Sequence, residues 1–148
     1  MAELTSSNEQ DTLDRQMMIW ANTFDGIPEG ITIINFEYLP ADTVGMALST
    51  VQSTHITSWD ILGNYTAEYQ FSVFYRVKPG NSNDKRLQAV ELLNAFGDWA
   101  LTAELPDIGD NLEAVSIVPT TRASMFAIYE NGDEDYQIAL KMVYSAIM

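Results

Sequence analysis

The chain has 148 residues, of which 21 are Asp or Glu and seven are Lys or Arg, so its formal net charge is −14 with the single histidine neutral. Nucleic-acid binding depends on Lys and Arg displacing counterions around phosphates, and so few cations exclude a substantial footprint of that kind. The same balance argues against binding to anionic membranes. Because 47% of the residues are hydrophobic, the charge does not indicate disorder, and the length predicts one domain.

Cysteine is absent, which removes disulfide bonds, thiolate nucleophiles and cysteine-based zinc sites. Residues 1–10 are polar and acidic and lack the pattern of a secretion signal. No apolar run approaches the roughly 20 residues that span a bilayer. We therefore expect a soluble intracellular protein with a single domain over residues 1–148, which begins with a short polar leader over about residues 1–6.

The first predicted helix extends from about Ser7 to Phe24, because apolar residues recur there at helical spacing. Ser7 and Gln10 have the spacing of a capping box. The segment Asp25–Gly30 contains the glycine and proline residues that end a helix.

Strands are predicted next, from β-branched, aromatic or alternating residues, at Ile31–Tyr38, Val44–Val51 and Ile56–Leu62. The clearest signal is Tyr65–Val77, where every odd residue is apolar or aromatic and every even residue except Phe74 is polar. Gly63-Asn64 predicts a tight turn that makes a hairpin. The hydroxyl-rich segment Ser49–Thr54 fits either a loop or an edge strand.

A second amphipathic helix is predicted after the loop Lys78–Asn83, with Asn83 or Asp84 as its cap and its end near Ala103. Three further strands follow, at Ala114–Val118, Ala123–Glu130 and Tyr136–Ile147. The last two are joined by the hairpin turn Asn131–Asp133.

The order of elements is therefore helix, three or four strands, helix and three strands. It lacks the βαβ alternation of nucleotide-binding folds. We predict an α+β fold: an antiparallel, mixed-length β-sheet of about five to seven strands with two α-helices packed on one face.

The residues themselves indicate no catalytic, cofactor-binding or metal-binding site. His55 is the only base that titrates near neutral pH, and we interpret it as a surface histidine on a strand. Asn131, Asp133 and Asp135 partly match a calcium loop, but the pattern lacks Gly at its sixth position and has Met142 where a bidentate Glu belongs. An acidic, solvated hairpin tip is the simpler interpretation.

Four segments, in this order along the chain, resemble the small tail-terminator-like minor structural proteins of long-tailed bacteriophages, often labelled minor capsid proteins: Tyr65–Val77, Leu92–Trp99, Leu105–Pro106 and Tyr129–Ile138. The order of predicted elements is also similar to that family. The similarity covers nearly the whole chain, and its motifs are patterns of packing rather than of chemistry.

The resemblance implies a ring-forming protein, typically a hexamer, that caps the completed tail tube, stops its polymerisation and presents the surface that joins tail to head. The implied partners are further copies of the chain, the tail tube protein and a head-completion protein. DNA would pass through the lumen without specific binding, and acidic walls would let it slide. The implied location is the head-proximal end of the tail in the virion, and the host cytoplasm during assembly. The family implies no catalytic residue, cofactor or membrane contact, so we expect no enzyme.

Ring contacts would be made by surfaces, for which the Pro40–Thr54 segment, both termini and two loops are candidates. The candidate interface residues in these two loops are Pro79, Gly80, Asn81, Asn131, Gly132, Asp133, Glu134 and Asp135.

Three alternatives remain open. A head-closure, neck or connector protein of the same virion would share these features. A small acid-base enzyme would need a deep concave site and a carboxyl group of raised pKa. A DNA mimic would need carboxylates spaced along one face like phosphates.

Overall fold

A computed structural model describes residues 3–4, 6–39, 44–50 and 55–147, with the backbone alone at 3, 4 and 55. Its elements are β1 (Glu3–Leu4), α1 (Ser7–Ala21), β2 (Ile34–Phe36), β3 (Gly45–Ser49), β4 (His55–Trp59), β5 (Tyr65–Val77), α2 (Asn83–Thr102), β6 (Leu112–Pro119), β7 (Ser124–Ile128) and β8 (Glu134–Ala146). The described strands form one sheet, with seven strands of three residues or more and the two-residue β1. The predicted α+β fold with two helices is confirmed.

The sheet is built around the antiparallel pair β5–β8, which is in register along all 13 residues of both strands, from Tyr65 opposite Ala146 to Val77 opposite Glu134. The other edge of β5 is shared by β4 at one end and β3 at the other, and the other edge of β8 is shared by β6 and β7. Across one end the strand order is β1-β4-β5-β8-β6, and across the other it is β2-β3-β5-β8-β7.

One pair, β2–β3, is parallel, which corrects the prediction of a wholly antiparallel sheet. The position of β2 is fixed by α1 rather than by a hairpin. The Asn22 side chain, just after the helix, donates from Nδ2 to the Ile34 carbonyl (3.1 Å) and accepts at Oδ1 from the Ile34 N–H (2.7 Å). Both main-chain groups of Ile34 are thereby satisfied by a side chain, as a neighbouring strand would satisfy them.

Both helices pack on the face formed by the odd residues of β5 and the even residues of β8. Trp20 of α1 lies at the centre of this core, edge-on to Phe71 of β5 and Phe96 of α2 with ring centroids 6.1 and 5.8 Å away. Its ring also contacts Trp99, and its Nε1 donates to the Glu104 carbonyl (3.2 Å). These contacts bury a large aromatic area and satisfy the one polar group of the indole.

The start and end of α1 differ from the prediction. The cap is Ser6, whose Oγ accepts from the Glu9 N–H (3.2 Å), so the predicted Ser7–Gln10 capping box was wrong by one residue. The helix ends at Ala21, and Phe24 beyond it is still buried against the rings of α2.

The cap of α2 was also predicted one or two residues late. Ser82, rather than Asn83 or Asp84, accepts from the Lys85 N–H (3.2 Å) through its hydroxyl group. A serine hydroxyl can accept from the third residue of a helix because the cap residue itself is extended. The helix ends at Thr102, within one residue of the predicted end.

Strand ends are shorter or longer than predicted, and part of the hydroxyl-rich segment, residues 51–54, lies outside the described residues. The predicted leader contributes a strand, because Glu3–Leu4 pairs with β4.

Phe74, the one apolar residue on the polar face of β5, packs edge-on against Phe126 of β7 with centroids 5.0 Å apart.

Gly97 lies where α2 packs closely against the sheet. A Cβ atom there would lie 2.8 Å from Ile138 Cδ1 and 3.1 Å from Pro119 Cγ. We expect Gly97→Val to lower the free energy of unfolding by about 1–3 kcal/mol, because the added side chain must displace those of Ile138 and Pro119. The exposed Ala95→Val, which introduces the same β-branched side chain on the same helix, is expected to cost less than about 1 kcal/mol. Urea denaturation measures both; equal losses would show that Gly97 is not a packing constraint.

Candidate interface

The two predicted interface loops lie side by side, because the β5–β8 register ends with Val77 opposite Glu134. Of the eight predicted residues, the exposed ones are Gly80, Asn81, Asn131 and Gly132, and the buried ones are Pro79, Asp133, Glu134 and Asp135. The hairpin turn closes with the Gly132 N–H donating to the Tyr129 carbonyl (3.0 Å), and Gly132 takes a φ of 94° that favours glycine.

The acidic run is not a solvated tip, which corrects that interpretation. Asp133, Glu134 and Asp135 are 2, 5 and 3% exposed. They lie where β8 begins, with β5 on one side and β7 on the other, so neighbouring strands cover them. Burying carboxylates is costly unless each has a partner of opposite charge.

Asp135 is paired with Arg76 of β5. Arg76 donates from Nε (2.7 Å) and Nη2 (2.8 Å) to the two carboxylate oxygens, and the Tyr129 hydroxyl donates to Oδ2 (2.8 Å). The guanidinium also lies 4.9 Å from the centre of the Tyr129 ring. Hydrogen bonding to Asp135 raises the pKa of Arg76, so the guanidinium stays protonated.

Glu134 and Asp133 have their own cations. Arg86 of α2 donates from Nε to both oxygens of Glu134 (3.1 Å each), and the Tyr136 hydroxyl donates to the same carboxylate (2.8 Å). The hydrogen bond from Arg86 is the main cause of a lowered pKa at Glu134. Lys78 Nζ lies 3.0 Å from Asp133 Oδ1. The three buried acids are therefore matched by three cations, and these six groups together carry no net charge.

A second polar cluster joins α1 to the sheet. Glu9 accepts hydrogen bonds from the hydroxyl groups of Tyr65 and Tyr144, the latter at 2.5 Å, and Asp14 accepts from Tyr69 at 2.7 Å. Burial first, and the adjoining carboxylates second, raise the pKa of all three tyrosines. The hydroxyls therefore remain protonated donors, and the arrangement acts as a clamp between helix and sheet.

Across the described residues, no group of three or more His, Asp or Glu side chains could hold a metal ion. The carboxylates of the calcium-like pattern face Lys78 and Arg76 instead. The His55 backbone lies in β4, but its side chain lies outside the described part, so its interpretation stays a prediction. Neither described helix is long and apolar enough to cross a membrane.

Strand β7 carries an exposed apolar surface on one edge of the sheet. Met125, Phe126 and Ile128 are 44, 54 and 65% exposed, and β8 is the only strand that pairs with β7 in the described ranges. An apolar edge strand with unpaired main-chain groups is a site of association. The residue pattern predicts this strand but not its exposure, because exposure depends on which strands flank β8.

A groove of about 530 Å³ lies between α1 and β2, on the opposite edge of the same end of the sheet. It is lined by Asp11, Asp14, Arg15, Met18, Ile19 and Phe36. The groove arises from the amphipathic pattern of α1. Leu13 and Met17 face the core and are fully buried, whereas Ile19 faces outward and is 58% exposed.

A third apolar feature is the β4–β5 turn, where Ile61 is fully exposed. The Asp60 carboxylate accepts from the Leu62 N–H (2.8 Å) and from the Asn64 N–H (3.0 Å) and side chain (2.9 Å), so the turn is internally braced. The hydrogen bond from the Asn64 side chain is the main cause of a lowered pKa at Asp60.

No family model and no curated protein matches the chain. One solved structure, of a protein described without a function, aligns over 97% of this chain and 97% of its own, with 16% identity and a TM-score of 0.47.

The Arg76–Asp135 pair provides a test of the buried charges. We expect Arg76→Met to lower the free energy of unfolding by about 3 kcal/mol, because Asp135 loses its cation while buried. Lys141→Met breaks a more exposed pair with Glu68 and is expected to cost at most about 1 kcal/mol. Both variants are measured by chemical denaturation, and similar losses would contradict the distinction.

The Arg86–Glu134 pair predicts a pH dependence. A carboxyl group with a lowered pKa in the folded state stabilises above its unfolded pKa of about 4.5, and that stabilisation is lost as pH falls through the folded pKa. We expect the difference in unfolding free energy between wild type and Arg86→Met to be largest above pH 5 and to shrink on acidification. Denaturation at several pH values measures it; a constant difference would show that Glu134 is not the partner that matters.

Proposed function

We propose that the chain is a structural protein of a long-tailed bacteriophage, which forms a ring at the end of the tail tube, stops tube polymerisation and provides the surface that joins tail to head. The observation that carries the proposal is the presence of uncovered apolar surfaces on both edges of one end of the sheet, β7 on one side and the α1–β2 groove on the other. Different surfaces on opposite edges suit head-to-tail association, which produces closed rings when the rotation between copies allows it.

The segments that carry the family resemblance also support the proposal through their places in the fold. Tyr65–Val77 is β5, Leu92–Trp99 lies in α2, and Tyr129–Ile138 forms the turn and the start of β8. They meet in the core, where Gly97 approaches Ile138. The resemblance therefore rests on residues that build one common packing arrangement.

The distribution of charge is consistent with a protein that meets DNA without holding it. In the described part of the chain, four of the seven cations lie in ion pairs with acids, namely Arg76, Lys78, Arg86 and Lys141. Few cations are left for phosphates, while most acids in the described ranges lie outside these four ion pairs. A ring whose lumen carries such a surplus would repel DNA phosphates and leave a duplex free to slide.

The proposal predicts a ring in the presence of tail tubes. The purified chain, alone and mixed with tail tubes, is examined by light scattering and negative-stain microscopy. We expect ring-shaped density at one end of each tube, and tubes that no longer lengthen when tube protein is added. A chain that stays monomeric and leaves tube ends bare in both conditions would overturn the proposal.

A neck or head-closure protein of the same virion is distinguished by its partner. Co-purification with tail tubes supports the terminator role, whereas co-purification with portal complexes alone supports the head side.

A further inference from the structure

We infer that the β7 edge of one copy docks its side chains into the α1–β2 groove of the next copy. The inference rests on the proposed ring and names its contact. Here, the β7 edge means Met125, Phe126 and Ile128 together with Arg122, and the groove means the six residues that line it.

The placement of the two surfaces is the first argument. Both lie at the end of the sheet where the strand order is β2-β3-β5-β8-β7, so they occupy its two lateral edges. One surface is an edge strand with exposed apolar side chains on both faces, Met125 and Ile128 on the face that carries the helices and Phe126 on the other. The other surface is a concavity walled by Met18, Ile19 and Phe36. Because the two surfaces differ and lie on opposite edges of the sheet, this contact favours head-to-tail association over a twofold dimer, in which both contacts would have to form between the same two copies.

Charge complementarity identifies the occupant as a second copy. Arg122, two residues before β7, is exposed, and no ion pair is recorded for it within the described residues. The groove carries two carboxylates, Asp11 and Asp14, against one guanidinium, Arg15, so it is net negative. Copies of a chain with a charge of −14 repel each other in general. A cation beside an apolar edge strand locally offsets this repulsion and favours contact with an acidic groove.

The contact uses side chains rather than a continuous sheet. Addition of β7 to β2 would require free main-chain groups on the outward edge of β2. At Ile34 the main-chain N–H and carbonyl groups are already hydrogen-bonded to the Asn22 side-chain amide, so they cannot pair with an added strand. The apolar side chains of β7 are therefore the part that binds.

Cysteine cross-linking tests the inference without background, because the chain has no cysteine. Ile19→Cys and Ile128→Cys replace exposed side chains, so both variants should fold, which circular dichroism checks. When the two single variants are mixed, we expect a disulfide dimer to form at least about tenfold faster than in a mixture of Ile61→Cys with Ile128→Cys, where the fully exposed turn residue reports random collision. Each single variant alone should cross-link no faster than this control.

The double variant Ile19→Cys/Ile128→Cys tests the head-to-tail geometry. It should give a ladder of oligomers that ends in one closed species, whereas a twofold contact, in which Ile128 of each copy meets Ile19 of the other, would stop at a doubly linked dimer. All mixtures are run with and without tail tubes. An Ile19–Ile128 rate equal to the control in both conditions, or faster self-linking of one single variant, would overturn the inference.

Charge reversal provides a second readout. Arg122→Glu in the Ile128→Cys chain should reduce the Ile19–Ile128 cross-linking rate severalfold, and Asp11→Arg in the Ile19→Cys chain should restore it. Rings on tail tubes without Ile19–Ile128 cross-links would refute this contact and leave the proposed function standing. Cross-linked rings that never bind tubes would support this contact and refute the proposed function.

Discussion

The pairing of β5 with β8 is the constraint on which the rest of the structure depends. Thirteen residues of each strand are in register, and both strands have their other edge divided between two shorter strands. The odd residues of β5 and the even residues of β8 form the floor on which both helices pack. The same register brings Arg76 opposite Asp135 and places Lys78 near Asp133, so the buried charges are paired by the strands themselves. A slip of one residue would invert the faces and separate these charges.

The helices, the β5 hairpin and the α+β class were predictable because each depends on local periodicity. Tyr65–Val77 alternates so regularly that its buried face could be assigned from the sequence. The parallel β2–β3 pair was not predictable, since it depends on Asn22 reaching Ile34 across a loop. Strand ends in that region were also misplaced, because only three residues of a long β-branched run find a partner strand.

The candidate interface shows the same division between local and long-range information. Adjacent acids in a hairpin predict a solvated tip when their partners are unknown, whereas Glu134 is bonded to an arginine 48 residues away. The exposure of β7 was equally hidden, since Ser124–Ile128 has the composition of an ordinary buried strand. What the residue pattern could not supply in either case was which segments lie alongside β8.

The separation of β5 from β8 in the chain has a consequence for biosynthesis. Arg76 and Asp135 are 59 residues apart, and the intervening segment includes all of α2. While a ribosome is still translating that segment, only one edge of β5 can pair with strands that already exist. The aromatic face of β5 is then not yet covered by α2. Long-range strand pairing forms slowly and leaves such edges open to other nascent chains. The acidic surplus, by keeping neighbouring chains apart during this interval, would favour correct folding over aggregation.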